Sequence, residues 1–132
     1  MILFASLISI MCGIVGIYNI KGEPIDPTLI EKMANSIRHR GPDDHGFYID
    51  RNVALAHQRL SIIDLSKAGH QPMVSHNNNL IIVFNGEIYN FKEVRKELEL
   101  LGYRFSSKTD TEVILYAYEK WGEKCFERLN GM

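Results

Sequence analysis

Read by the spacing of its apolar positions, the chain alternates between short strand-like runs and segments with helical periodicity. The run Gly13-Ile14-Val15-Gly16-Ile17-Tyr18, behind Met11-Cys12, has the β-branched and aromatic content of a short strand. Leu29, Ile30, Met33, Ala34 and Ile37 then recur three and four apart, with Asp26 placed as N-cap and Pro27 as first helical residue. A helix is therefore predicted from Pro27 to near His39. Phe47 to Ile49 and Val53 to His57 read as the strands of a hairpin turned by Asp50-Arg51-Asn52. Leu80 to Phe84 is a continuous apolar run entered from Asn77-Asn78-Asn79, the pattern of a strand covered on both faces. Asn90 with Glu93 spells a capping box for a helix that puts Phe91, Val94, Leu98 and Leu101 on one face and closes at Gly102. Tyr103 to Phe105 suits a further short strand. Thr109 with Glu112 spells a second capping box, for a helix that turns Val113, Ile114, Ala117 and Trp121 inward and stops at Gly122. Phe126 and Leu129 suggest one more helical turn with Cys125 in the core, and Asn130-Gly131-Met132 reads as a turn.

Composition narrows the class. The 132 residues allow one domain, and 45% hydrophobic with 23% charged residues is ordinary for a soluble chain that buries a core. A net charge of −1 gives no basic footprint for nucleic acid and no acidic excess of the kind found in disordered tails. Cys12 and Cys125 make no disulfide framework and fit a reducing compartment, the cytoplasm. The histidines at 39, 45, 57, 70 and 76 show no metal-ligand spacing, so no metal is expected. Met1 to Ile10 is apolar and uncharged; it lacks the basic opening and cleavage site of a secretory signal and is about half the length of a membrane span. A start codon placed too early, a propeptide and a retained extra strand would each explain it. The early start is favoured, because Met11 stands where a new amino terminus would put Cys12 to use.

A few polar positions carry candidate chemistry. A thiol is a strong nucleophile only as the thiolate, so Cys12 needs a base or a positive group in reach. Its own α-amine, if freed, has a pKa of roughly 7.7 to 8.0 in short peptides and would serve, while Gly13 leaves room beside the sulfur. The other reading of Cys12 is a small buried hydrophobe. Arg38-His39-Arg40-Gly41-Pro42-Asp43-Asp44 is either a solvated loop stapled by its own ion pairs or a loop that shapes a site. Arg59 offers a planar fork either to a substrate carboxylate or to a structural salt bridge. Asn85 and Gly86 either donate to a developing oxyanion or turn the chain. Asp110 caps a helix start and can also face a substrate ammonium.

Met-Cys-Gly-Ile-Val-Gly at 11 to 16, Arg-His-Arg-Gly-Pro-Asp at 38 to 43, Arg-Leu-Ser-Ile-Ile-Asp at 59 to 64, Gln71-Pro72-Met73, Asn-Gly-Glu-Ile-Tyr-Asn at 85 to 90 and Thr109-Asp110-Thr111-Glu112-Val113 follow one another in a specific order. That order resembles class II glutamine amidotransferase domains, and most of all those of glutamine-hydrolysing asparagine synthetases, over Met11 to Met132. The resemblance implies an α+β fold, a four-layer αββα sandwich of two antiparallel sheets of the amino-terminal-nucleophile hydrolase type, incomplete at the C-terminus. It divides the chain into an extension, residues 1–10, and a partial amidotransferase domain, residues 11–132. The absent strands would leave apolar edges and a partly uncovered core.

The same resemblance implies site residues. Cys12 would attack the side-chain amide of L-glutamine with its own α-amine as proton acceptor, and Asn85 with the N–H of Gly86 would hold the oxyanion. Arg59 would bind the α-carboxylate and Asp110 the α-ammonium, while Leu60, Ser61, Ile62, Ile63 and Glu87 line the pocket. A cysteinyl thioester then releases glutamate, and the ammonia goes to an aspartate activated as its adenylate. No cofactor is implied for this stretch; ATP and magnesium belong to an absent synthetase domain or subunit, the expected partner. Nucleic acid and membrane are not expected, and a homodimer is open. Two other readings stand beside this one: a non-catalytic glutamine-binding or assembly module, and a glutaminase that feeds another acceptor such as a polysaccharide precursor.

Overall fold

A computed structural model describes residues 11–62 and 64–132; the extension at residues 1–10 and the expected pocket residue Ile63 lie outside the described residues. In chain order the elements are β1 (Gly13–Tyr18), α1 (Pro27–Ser36), β2 (Asp44–Asp50), β3 (Val53–Arg59), β4 (Met73–Val74), β5 (Ile81–Ile82), α2 (Phe91–Leu100) and α3 (Asp110–Trp121). Single 3-10 segments intervene at Arg38–Arg40, Lys67–Gly69 and Gly122–Glu127. The strands form two antiparallel sheets, one of order β1-β3-β2 and one pairing β4 with β5. No helix among the described residues is long and apolar enough to cross a membrane.

The first sheet closes on α1. Alternation along β3 turns Ala54, Ala56 and Gln58 to the helix side, and the two small alanines let α1 settle close over Ile25, Ile30 and Ala34. Gln58 Nε2 donates to the carbonyl of Ala34 at 3.0 Å, which uses a buried polar group to fasten helix to sheet. Asp26 caps α1 by accepting from the N–H of Thr28 at 2.9 Å, with Pro27 at the first helical position. The helix ends at Ser36, short of His39, because Arg38–Arg40 tighten into 3-10 geometry. The hairpin strands are longer than their apolar stretch suggests: the ladder runs from Asp50 opposite Val53 to Asp44 opposite Arg59. Pairing with β1 on the other side of β3 takes in Gln58, opposite Gly13, while Arg59 is held in the sheet by β2, opposite Asp44.

A second core joins Val94 and Leu98 of α2 to Val113, Tyr116 and Ala117 of α3 and to Cys125. Tyr103 to Phe105 form no strand; the rings of Tyr103 and Phe105 pack on Tyr116 at 5.2 and 5.0 Å instead, so burial of aromatic surface decides their path. Thr109 caps α3 by accepting from the N–H of Glu112 at 3.3 Å, and the Glu112 carboxylate reaches back to the N–H groups of Ser106 and Ser107 at 2.8 and 2.7 Å. Asn90 makes no such cap. Its amide is engaged elsewhere, donating to the carbonyl of Arg128 at 2.8 Å and accepting from the N–H of Asn130 at 2.8 Å. Asn130 to Met132 are correspondingly not a turn but an extended segment paired with Glu87 to Tyr89.

The apolar run Leu80 to Phe84 also departs from expectation. Only Ile81 and Ile82 enter the ladder, against a two-residue partner, and the run is half-buried with one side open to an apolar cavity of about 540 Å³. The ladder cannot continue at Phe84, whose backbone groups are both taken by side chains, Gln71 and His57.

Candidate active site

Four segments converge on a second cavity, of about 130 Å³: the start of β1, the stretch that follows β3, the segment after β5 and the first turn of α3. Cys12 lies just before β1. Its sulfur accepts from the N–H of Leu60 at 3.3 Å and lies 3.5 Å from the carbonyl of the same residue, so the thiolate has a backbone donor already aimed at it. Arg40 Nε donates to the carbonyl of Cys12 at 3.2 Å, and the Asp43 carboxylate accepts from the N–H of Ser61 at 2.8 Å. The polar loop from Arg38 to Asp44 thus braces both walls beside the sulfur, and among the described residues no ion pair staples it internally.

Arg59, at the end of β3, is buried but makes no salt bridge among the described residues. Its guanidinium donates to the carbonyls of Ser66, at 3.0 Å, and Asp64. Carbonyls orient the fork without neutralising it, which leaves a positive charge available to an anionic ligand. Gly69 is required for this: a Cβ there would run into the guanidinium. Asp64 in turn ties the loop down, its carboxylate accepting from the N–H groups of Ser66 and Lys108 at 2.8 and 2.9 Å. The hydroxyl of Ser66 first, and then those N–H groups, hold its pKa at about 2.

Asp110 opens α3 on the far wall. Its carboxylate accepts from the N–H of Ile88 at 3.0 Å, yet burial, with a smaller contribution from the nearby Glu87, pushes its pKa above the ordinary value. A cation placed beside it would favour the charged carboxylate and oppose that shift.

Of the residues expected at the site, Cys12, Arg59, Leu60, Ile62, Gly86, Glu87 and Asp110 line this one cavity. Asn85 and Ser61 do not; Ser61 opens instead on an adjoining polar cavity that shares Arg59 and carries Asp43, Asp44 and His70. Gly86 could not be another residue, since a Cβ there would meet the carbonyl of Met132 and the ring of Phe84. The cavity also takes in Asp64, Gly69, Gln71, Phe84, Thr109 and Thr111, which had no site role in the sequence reading. The only signal for either Gln71 or Asp64 was its place in a motif, beside Pro72 for the one and closing Arg-Leu-Ser-Ile-Ile-Asp for the other. No three His, Cys, Asp or Glu side chains among the described residues gather into a metal-binding cluster.

Comparison with protein families decides the class: a glutamine amidotransferase domain matches residues 11–132. The chain belongs to this family. As a glutamine amidotransferase domain it is similar to glutamine-hydrolysing asparagine synthetases: 43% identical over 127 residues to asparagine synthetase 1 of Bacillus subtilis strain 168, with 92% of this chain and 20% of that protein covered. Asparagine synthetase B of Escherichia coli strain K12 is 39% identical over 125 residues, with 92% and 22% covered. The maize enzyme is 36% identical over 123 residues, with 92% and 20% covered. The chain thus spans about a fifth of the length of these relatives.

Proposed function

We propose that this amidotransferase domain is the glutaminase part of an asparagine synthetase, releasing ammonia from L-glutamine. The observation that carries the reading is the pairing, in one small cavity, of a sulfur already in contact with a backbone donor, an arginine without a carboxylate partner and a buried carboxylate with raised pKa. A zwitterionic α-amino acid presents one anionic and one cationic group to those two walls and sends its side chain toward the thiol. At about 130 Å³ the space is far below the roughly 300 Å³ at which pockets for drug-sized ligands begin, which suits an amino acid better than a nucleotide.

In this proposal Arg59 holds the α-carboxylate and Asp110 the α-ammonium, while Leu60, Ile62 and Glu87 flank the substrate. The α-amine of Cys12, free once its bond to Met11 is cut, takes the thiol proton, and the thiolate attacks the side-chain amide carbon. The N–H of Gly86 and the amide of Asn85 receive the negative charge, ammonia leaves with the proton, and water cleaves the thioester to glutamate. Asn85 would have to swing toward the cavity for its part, since it does not line it in the resting arrangement. The completed domain would be a four-layer αββα sandwich. Ammonia would then amidate an activated aspartate on a synthetase domain or subunit that uses ATP and magnesium. Among the described residues no cluster of three or more His, Cys, Asp or Glu side chains stands ready for that metal.

The test joins two measurements on the chain purified from its host: its intact mass, and glutamate release from glutamine. A mass that starts at Cys12, with release abolished by Cys12→Ala, is the expected result. A mass that retains Met11, with glutamine bound but not hydrolysed, would replace the enzyme by a glutamine-binding module.

A further inference from the structure

Phe84 stands where the polar cavity meets the apolar one, since it lines both. Its N–H donates to Gln71 Oε1 at 2.6 Å, and its carbonyl accepts from His57 Nε2 at 3.2 Å. Two buried side chains therefore hold the peptide groups on either side of this residue, immediately before Asn85 and Gly86. The Nδ1 atom of His57 is buried without a partner among the described residues, so the ring proton belongs on Nε2, where a carbonyl waits for it. Gln71 extends the connection further: its amide nitrogen donates to Thr111 Oγ1 at 3.2 Å, in the first turn of α3. That turn is fixed independently by the Thr109 cap and by Glu112, which binds Ser106 and Ser107.

We propose that Gln71 is a positioning residue for the oxyanion donors: it transfers the rigidity of the α3 start to the Phe84 peptide and thereby aims Gly86 and Asn85. The proposal rests on the glutaminase reading and deepens it. Gln71 does not need to touch substrate to do this, because its oxygen and its nitrogen each already have a protein partner. The residue type follows from the partners. Phe84 offers a donor and Thr111 a hydroxyl, and a neutral amide presents an acceptor and a donor at fixed separation with no charge to desolvate. Because Asp110 and the α3 start stand without Gln71, losing the clamp should damage the developing oxyanion and spare ground-state binding.

The experiment compares the parent chain with Gln71→Met, which keeps the volume and deletes both hydrogen bonds, and Gln71→Glu. The second variant still accepts from Phe84, and the Thr111 hydroxyl can rotate to suit either protonation state. The readouts are kcat and KM for glutamine hydrolysis and the hydrogen-exchange rates of the Phe84 and Gly86 amides by NMR, with a thermal melt to establish that each variant is folded. Gln71→Met should lower kcat by about 10- to 100-fold, less than the loss of an oxyanion donor itself, with KM within about threefold. It should also speed Phe84 exchange at least about tenfold, while Gln71→Glu, which keeps an acceptor for the Phe84 N–H, holds Phe84 exchange within about threefold of the parent whatever its added charge does to kcat. A raised KM with kcat kept, or Phe84 exchange as fast in Gln71→Glu as in Gln71→Met, overturns the positioning role. So does unchanged Phe84 exchange in Gln71→Met. The failure of the underlying reading looks different: glutamate release that survives Cys12→Ala overturns the glutaminase assignment itself, whatever the exchange rates show.

Discussion

The two cavities that meet at Phe84 differ in size and in the charge of their walls. One is small, polar and walled by Arg59, Glu87 and Asp110; the other is about four times larger and is walled by side chains such as Ile81, Ile82, Ile114 and Leu115, with no charged residue among them. The small one can compensate both charges of an amino acid. The large one can only exclude water, and as it stands it leaves apolar surface wet, including Phe126 at 62% exposed. Chemistry and an open apolar face thus lie back to back, separated by one residue whose backbone is held by side chains instead of a sheet. Substitutions on the two sides should behave as different classes, and that expectation can be tested.

The largest effect belongs in the closed core between α2 and α3. Leu98 is fully buried there, so Leu98→Ala should cost about 3 to 4 kcal/mol in urea unfolding, the range for deleting a well-packed leucine. His57 gives an effect of similar size through pH. Burial lowers its pKa to about 4, against 6.5 in an unfolded chain. Between these values the unfolded chain takes up a proton that the folded chain refuses, so stability is full above pH 6.5 and is lost as the pH falls through 4. The whole loss is on the order of 3 kcal/mol. Unfolding midpoints at pH 7 and pH 4.5 measure it, and His57→Gln, which can still donate to the Phe84 carbonyl, should flatten the difference. In the polar cavity, Arg59→Ala should leave the fold standing and raise KM for glutamine about 100-fold, by removing the charged fork. An unchanged KM would mean that the arginine serves only its carbonyl partners.

Smaller effects come from the caps, and they show why parts of the fold were legible. Thr109→Ala should destabilise by about 1 kcal/mol, because its hydroxyl satisfies one free N–H of α3. Asp26 and Thr109 could be read in advance because a cap depends only on neighbours two or three residues away. Asn90 carries the same signal, but its side chain found partners at Arg128 and Asn130, some forty residues distant, which no local pattern discloses. The site divides in the same way. Cys12, Arg59, Gly86 and Asp110 announce themselves by residue type inside motifs, and the fold gathers them around one cavity. Gln71 and Asp64 were invisible as site residues, because their importance lies in what they hold: the Phe84 and Lys108 N–H groups. The apolar run Leu80 to Phe84 misled for the opposite reason. Its composition fits a strand covered on both faces, but composition does not show whether the covering layer is at hand.

Ile82 tests that last point with the smallest effect. It is half-buried in β5, pairs with Met73 and faces the open apolar cavity. Truncation to alanine removes three methyl or methylene groups that already touch solvent on one side. The cavity left behind joins one that is open, so little packing is lost beyond the partial transfer of those groups. Ile82→Ala should therefore cost about 1 kcal/mol or less, well under Leu98→Ala, although both delete the same number of carbon atoms. Urea midpoints of the two variants, measured on dilute chain, decide it. A cost for Ile82→Ala equal to that for Leu98→Ala would mean that Ile82 is fully covered in solution. The apolar cavity would then be closed in solution, and the contrast between an enclosed polar site and an open apolar face would vanish.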